Sequence, residues 1–314
     1  MIAAFAPGTV SNVAAGFDVL GFALDEPGDV VSAALADAPG AVIADVRGDG
    51  GRLSRDAGRN TASAAANALL AALGTRQGVS LVVHKGLPLA SGVGSSGASA
   101  VAAVVAVNEL LGRPAGLDLL LRCAMAGEQV GCGAIHPDNV APALYGGFVL
   151  ARSVDPPDIV RLPVPAGLAC AVLHPAIEVH TGAARALLGD TVPLAAAVRQ
   201  WANVGALVSA LHSGDLALLS RALVDHVAEP KRAGLVPGFH AIKAAAVAAG
   251  ALGCSLSGSG PSLFALASSL DVATAAGQAM AAAWAAAAPG VDADLWVSPV
   301  STHGARIVTG EERR

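Results

Sequence analysis

The sequence predicts an α+β fold, and three observations predict it. Short β-branched runs are interspersed with long Ala- and Leu-rich stretches of helical length, yet their order never settles into a regular βαβ alternation. Apolar residues make up 54% of the 314 positions while aromatics make up only 3%, so the core must be built from Ala, Val and Leu. Such small side chains let helices pack closely, and alanine is the strongest helix former. The length gives ample volume for a buried core in one large domain or two of ordinary size.

Taken in order, residues 2–6, 29–35 and 79–84 are short, β-branched runs and read as strands. Residues 60–73 read as a helix that Asn60 is suited to cap. A second helix is expected at 96–111, stopping at Gly112, a third at 117–130, and a strand at 147–151. The proline-rich stretch Asp155-Pro156-Pro157 and Pro163-Val164-Pro165 is the expected junction between an N-terminal domain, residues 1–155, and a C-terminal domain, residues 156–314. Beyond it a strand is expected at 169–173, and helices at 181–188, 193–211, 215–227 and 238–249. Two short strands should flank Gly258-Ser259-Gly260-Pro261, followed by an Ala-rich helix at 271–287 and strands at 295–300 and 305–308.

Composition excludes several classes of function. The uncharged stretches 86–108 and 244–270 are interrupted by Gly, Ser and Pro261, whereas a spanning helix needs about 20 predominantly apolar residues. The N-terminus has no basic segment and turns by Pro7, so the chain reads as cytoplasmic, without a membrane partner. A net charge of −5 and only three lysines (Lys85, Lys231, Lys243) leave no basic stripe for nucleic acid. The four cysteines, Cys123, Cys132, Cys170 and Cys254, form no CxxC pair, and Cys132 with His136 lacks the remaining ligands of a zinc site. They read as buried, inert thiols.

The segment Pro88-Leu89-Ala90-Ser91-Gly92-Val93-Gly94-Ser95-Ser96-Gly97 leads directly into the second helix. Residues 92–97 match G-x-G-x-x-G, but a dinucleotide fingerprint leaves its strand at once and is followed by an acidic residue at the end of a second strand. Neither condition is met here. No Gly-Lys pair exists for a Walker loop, and no V-A-I-K strand follows as in protein kinases. What remains is the physics these loops share: glycines let backbone N–H groups approach an anion, and the helix N-terminus adds its positive dipole end. Ser95 and Ser96 add hydroxyls for a phosphate oxygen or a metal ion.

Three separated segments resemble the GHMP kinase superfamily: Ala6-Pro7-Gly8-Thr9 through Phe17-Asp18, the loop from Pro88 to Ala98, and Ser257-Gly258-Ser259-Gly260-Pro261-Ser262. The loop is similar to the family's P-x-x-x-G-L-G-S-S-A, with Val93 in place of Leu and Gly97 in place of Ala. The resemblance implies an α+β fold with an N-terminal half like ribosomal protein S5 domain 2 and a ferredoxin-like C-terminal half. Thr9 stands where sugar and mevalonate kinases usually carry lysine. Ser11-Asn12, Gly16-Phe17-Asp18 and the run His136-Pro137-Asp138-Asn139-Val140-Ala141-Pro142 resemble instead the homoserine kinase branch.

That resemblance implies transfer of the γ-phosphoryl group of ATP to the side-chain hydroxyl of L-homoserine, a step of threonine biosynthesis, by an enzyme that is often a homodimer. It places the triphosphate on Pro88, Ser91, Gly92, Val93, Gly94, Ser95, Ser96 and Gly97, and Mg²⁺ on Ser96 and Glu128. Asn60 resembles the adenine-facing asparagine, a role compatible with a plain helix cap. Asn12 and Asp18 are implied at the ammonium of the substrate, Arg185 and Arg232 at its carboxylate, and His136, Thr181 and Gly258 nearby. Asn12, Ser96 and Glu128 are the implied catalytic residues. A positioned carboxylate is the usual acceptor for an alcohol proton. No acidic residue stands free for that task, and the proton passing directly to the phosphate is the other route. Two further readings stay open: a GHMP kinase with a different acceptor alcohol, and a non-catalytic nucleotide- or metabolite-binding protein on the same fold.

Overall fold

The computed structural model describes residues 1–309, without the side chain of Cys132. Strands β1 (Ile2–Ser11) and β2 (Leu20–Ala36) form a long antiparallel pair with a register shift between Pro7 and Thr9. Then come β3 (Gly40–Arg47), α1 (Thr61–Ala72) and β4 (Gly78–His84). β3 and β4 run parallel, joined through α1 as a βαβ crossover. Helices α2 (Ser95–Leu110), α3 (Leu117–Cys132) and α4 (Pro137–Tyr145) follow, then β5 (Phe148–Val154) and β6 (Pro157–Leu162).

The second half contains β7 (Ala169–Pro175), α5 (Thr181–Ala186), α6 (Leu194–Ser213), α7 (Leu216–Ala222), α8 (Glu229–Arg232) and α9 (Phe239–Ala248). It continues through β8 (Gly253–Leu256), β9 (Leu263–Ala267), α10 (Leu270–Ala287), β10 (Ala293–Pro299) and β11 (Arg306–Val308). β10, β7, β9 and β8 make an antiparallel four-stranded sheet. β11 returns to the first sheet and pairs with β1, with Ala3 opposite Val308.

Most expected elements are present within a residue or two, including the cap, where Asn60 Oδ1 accepts from Ala62 N at 3.0 Å. The additions are β3, α4, β6 and α8. At 155–156 the chain makes the turn of the β5–β6 hairpin, with Val154 opposite Pro157, so 157–162 is hydrogen-bonded into the first sheet. The chain passes from the first sheet to the second across residues 163–168.

Helix α2 explains the alanine-rich composition. Ala98, Ala100, Ala102, Ala103 and Ala106 are fully buried, as are Val101, Val104 and Val107. The helix lies against β1 and β2 on one side and against α1, α3 and α4 on the others. A helix apolar all round must be enclosed, and its small side chains set the close spacing. Among the described residues, no helix is long and apolar enough to cross a membrane. Cys123, Cys170 and Cys254 are buried and, among the described residues, unpaired, and burial pushes each thiol pKa up, away from reactive thiolate.

Helix α4 carries Pro142 in its interior, which argues against a helix in the sequence. Proline lacks the N–H that would bond the Asp138 carbonyl four residues earlier. That carbonyl lies against β2 at Gly21, where a Cβ would come within 1.8 Å of it. Only glycine permits the approach, and it seats the start of α4 on the sheet.

Candidate active site

The N-terminus of α2, the β1–β2 connection, the start of α4, the segment around Thr181, and the Gly258 turn surround one open cleft of about 450 Å³. The loop before α2 is pinned from several directions. Thr9 N donates to Val93 O (3.0 Å), Ser257 Oγ to Gly92 O (2.7 Å), and Ser262 N to Ser91 O (3.3 Å). Gly94, at φ 68°, caps α2 in the left-handed region. A Cβ there would lie 2.1 Å from Thr9 Oγ1 and 2.9 Å from Asn139 Oδ1, two atoms that share a 2.9 Å hydrogen bond. The position requires glycine for both conformation and space.

Beneath the loop, Lys85 forms a short buried ion pair with Asp29 and also donates to Ser95 O (2.8 Å) and Ser99 Oγ (2.9 Å). Asp29 further accepts from Gly86 N (3.0 Å), Leu87 N (3.1 Å) and Ser99 Oγ (2.6 Å). This unit fixes the first turn of α2 to β2 and β4. Its N–H groups are thereby aimed at the cleft, where an anion would meet the positive end of the helix.

Ser96 Oγ donates to Glu128 Oε2 at 2.6 Å, and Glu128 is itself buried on α3. His136 Nδ1 lies 3.6 Å from the other Glu128 oxygen, and this contact, before the opposing effect of burial, raises the imidazole pKa. Asp138 is buried, and burial together with the nearby Asp18 pushes its pKa up to about 7 against the pull of His136. Among the described residues, neither His136 Nε2 nor Asp138 Oδ1 has a protein partner. Two buried polar atoms left unpaired beside a cleft mark a place where a bound group completes the hydrogen bonding.

The connection after β1 is strained where it lines the cleft. Asn12, Val13 and Ala14 have φ of 69°, 42° and 56°, and Asp18 has 61°. Asn12 Nδ2 donates to Gly258 O (2.8 Å), while its Oδ1 accepts from Asp18 N (2.9 Å). Arg185 Nη2 bonds both Asp18 oxygens, at 2.8 and 2.7 Å. The Arg185 and Arg232 guanidiniums stand 5.5 and 5.3 Å from the Phe17 ring centre, within cation–π range. Arg232 is buried and donates to Ala184 O (3.1 Å) and, at 3.4 Å, to Gly258 O. Burial first, and then Arg185, lower its pKa, so an anion is the natural complement here. Thr181 Oγ1 lies 3.4 Å from Ser259 Oγ.

Of the residues singled out in the sequence, Asn12, Asp18, Asn60, Ser91, Gly92, Gly94, Ser95, Ser96, Glu128, His136, Thr181, Arg185, Arg232 and Gly258 all line the cleft. Pro88, Val93 and Gly97 stand behind the loop: Pro88 O accepts from Ser91 Oγ (2.8 Å), Val93 is fully buried, and Gly97 faces α4. Sequence reasoning missed Lys85, Ser99, Asp138 and Asn139, which also line it, and the supporting Asp29 and Thr9. Asp138 and Asn139 lay inside a run already recognised as distinctive. Asp29, 56 positions before its partner Lys85, carried no local signal.

Residues 60–147 match the GHMP kinases N terminal domain and residues 207–286 the GHMP kinases C terminal family. A homoserine kinase of Chlorobium phaeobacteroides is 46% identical over 98% of this chain and 99% of its own length. One from Chlorobaculum tepidum is 48% identical over 98% of both. The crystal structure of homoserine kinase from Cytophaga hutchinsonii superposes with a TM-score of 0.95 at 50% identity, covering 98% of this chain and 97% of that one. Leishmania major mevalonate kinase, at 19% identity and a TM-score of 0.71 over 94% and 95% of the two chains, shares the fold. With near-full-length identity of this order and both halves of the family matched in sequence, the chain belongs to the homoserine kinases of the GHMP kinase superfamily.

Proposed function

We propose that the cleft transfers the γ-phosphoryl group of ATP to the side-chain hydroxyl of L-homoserine. One observation carries this reading: a carboxylate (Asp18) and two guanidiniums (Arg185, Arg232) line the same cleft as the N-terminus of α2. The charged group fits an amino acid zwitterion, and the helix N-terminus fits a polyphosphate. In this reading the loop around residues 91–96 cradles the triphosphate and Asn60 lies on the adenine side. Asp18 and Asn12 take the ammonium, and Arg185 and Arg232 fork onto the carboxylate. His136, Thr181 and Gly258 wall the pocket.

Ser96 and Glu128 place two oxygens side by side, which fits Mg²⁺, a hard cation that takes one or two protein oxygens and completes its shell with phosphates and water. When bound there it neutralises charge on the transferring phosphates. The residues themselves do the positioning. With both ends of the amino acid held, its hydroxyl is directed toward the loop, where the hydroxyl oxygen attacks the γ-phosphorus as the bond to the β-phosphate oxygen breaks and the hydroxyl proton passes to an oxygen of the transferred phosphate.

The two halves are read as cooperating domains, in a cytoplasmic enzyme. The exposed row Leu194, Val198 and Trp201, one face of α6, supports self-association. The test of the reaction is ADP release from MgATP with L-homoserine, L-serine, L-threonine and mevalonate side by side. Homoserine should be the preferred acceptor, and mevalonate turnover at a comparable rate would refute the assignment.

A further inference from the structure

The groups assigned to opposite ends of the substrate are bonded to one another. Asp18 and Arg185 come from different parts of the fold, the β1–β2 connection and α5, yet Arg185 Nη2 engages both carboxylate oxygens. A substrate ammonium arriving at Asp18 must take at least one of those contacts. Once it does, Arg185 loses its counter-ion beside a second cation, the buried Arg232, and above the Phe17 ring. A substrate carboxylate supplies the replacement.

We propose that this internal ion pair is a specificity device that makes the pocket demand both charges of a zwitterion at once. It rests on the placement of the amino acid given above. Homoserine exchanges one internal pair for two intermolecular ones. An amino alcohol without a carboxylate satisfies Asp18 but leaves Arg185 and Arg232 uncompensated. A hydroxy acid without an ammonium satisfies the arginines but leaves Asp18 bare. Each half-substrate is penalised twice, once for the contact it lacks and once for the pair it opens.

The consequence has an unusual sign: deleting one member of the pair should improve the half-substrate that uses the other. The side chains are 45% (Arg185) and 38% (Asp18) exposed, so the pair is solvent-screened and the gain is modest, up to about fivefold. The same exposure means that neither side chain is needed to build the core.

The experiment measures kcat/KM for wild type, Asp18→Asn and Arg185→Gln with L-homoserine, 4-hydroxybutanoate and 3-aminopropan-1-ol. Asp18→Asn should lose at least about tenfold on homoserine while gaining about two- to fivefold on 4-hydroxybutanoate. Arg185→Gln should show the mirror image, losing on homoserine and gaining on 3-aminopropan-1-ol. Both variants should be less active than wild type on the half-substrate whose reader was removed. If both lose homoserine activity but neither gains on its remaining half-substrate, the internal pair plays no part in specificity and the inference falls. If homoserine turnover is unchanged in both, the amino acid does not bind here and the placement itself fails. Circular dichroism melting curves matching wild type confirm that each variant is folded.

Discussion

Replacing Lys85 with methionine keeps most of the side chain's apolar length but deletes its charge where Lys85 and Asp29 are 1% and 0% exposed. Asp29 then keeps only neutral donors: the Gly86 and Leu87 N–H groups at 3.0 and 3.1 Å and the Ser99 hydroxyl at 2.6 Å. Breaking a buried pair from one side costs about 3–5 kcal/mol because a charge is left without its partner. At roughly 2–4 °C per kcal/mol for a protein of this size class, the melting midpoint should fall by about 6–20 °C. Asp29→Asn in the same chain removes that charge while its carboxamide oxygen still accepts from the two N–H groups. The double variant should therefore recover at least about 2 kcal/mol relative to Lys85→Met, and the Asp29→Asn single completes the cycle that gives the coupling energy between the sites. Urea unfolding at constant m-value measures all three variants. Activity supplies a second readout. The Ser95 carbonyl, on the first residue of α2, loses its 2.8 Å donor. The KM for ATP should thus rise more than the KM for homoserine. A Lys85→Met protein within about 1 kcal/mol of wild type, or a double variant no more stable than the single, would refute the reasoning.

Glu128→Gln should keep the fold but lose most of kcat and shift the Mg²⁺ dependence to higher concentration, because a neutral amide holds the cation weakly; steady-state rates across a Mg²⁺ titration check this. Arg232→Ala should lower kcat/KM for homoserine by about 10- to 150-fold, the worth of one charge-assisted hydrogen bond, and Arg232→Lys should recover only part of it in the same assay. The Asp138 carboxyl has its pKa raised from 3.8 to about 7, so the native state holds its proton where the unfolded chain has lost it. Its neutral form contributes stability that is fully present below pH 3.8 and lost as pH rises to about 7. Urea unfolding between pH 4 and 8 should show Asp138→Asn with a shallower decline than wild type, and a slope unchanged by the substitution would contradict the shift.

Helices were legible where period and caps agreed, as at α1 with Asn60 and at α2 with its glycine stop. α4 was not, because Pro142 at its centre breaks the local rule and only a tertiary approach to Gly21 makes the helix tolerable. β3 was not, since Ala41, Val42, Ile43 and Ala44 are all apolar and the alternate burial of a half-exposed strand, with Ala41 and Ile43 inside and Val42 outside, shows only in the structure. β6 was hidden by prolines that suggested a break and in fact begin a hairpin arm. In the site, Asn12, Asp18, Glu128, His136, Thr181, Arg185 and Arg232 were legible because they stand in segments resembling the homoserine kinase branch. The Lys85–Asp29 pair and the free oxygen of Asp138 were not, since burial and long-range pairing leave no periodic trace.

The way the phosphate-loop region is held has a bearing on synthesis. Its carbonyls and strands are tied to residues far downstream: Gly92 to Ser257, Ser11 to Gly258, and β1 to β11. A ribosome delivers the loop long before it delivers those partners. Until they emerge, the loop lacks its ties from the 257–262 turn and the edge of β1 is unpaired, open to chaperones and to proteases. A chain cut short between Gly97 and Ser257 would carry every loop residue yet lack three of the contacts that shape the cleft. Premature termination should therefore yield a protein that neither sequesters ATP nor competes for amino acid, a safeguard that arises from connectivity alone.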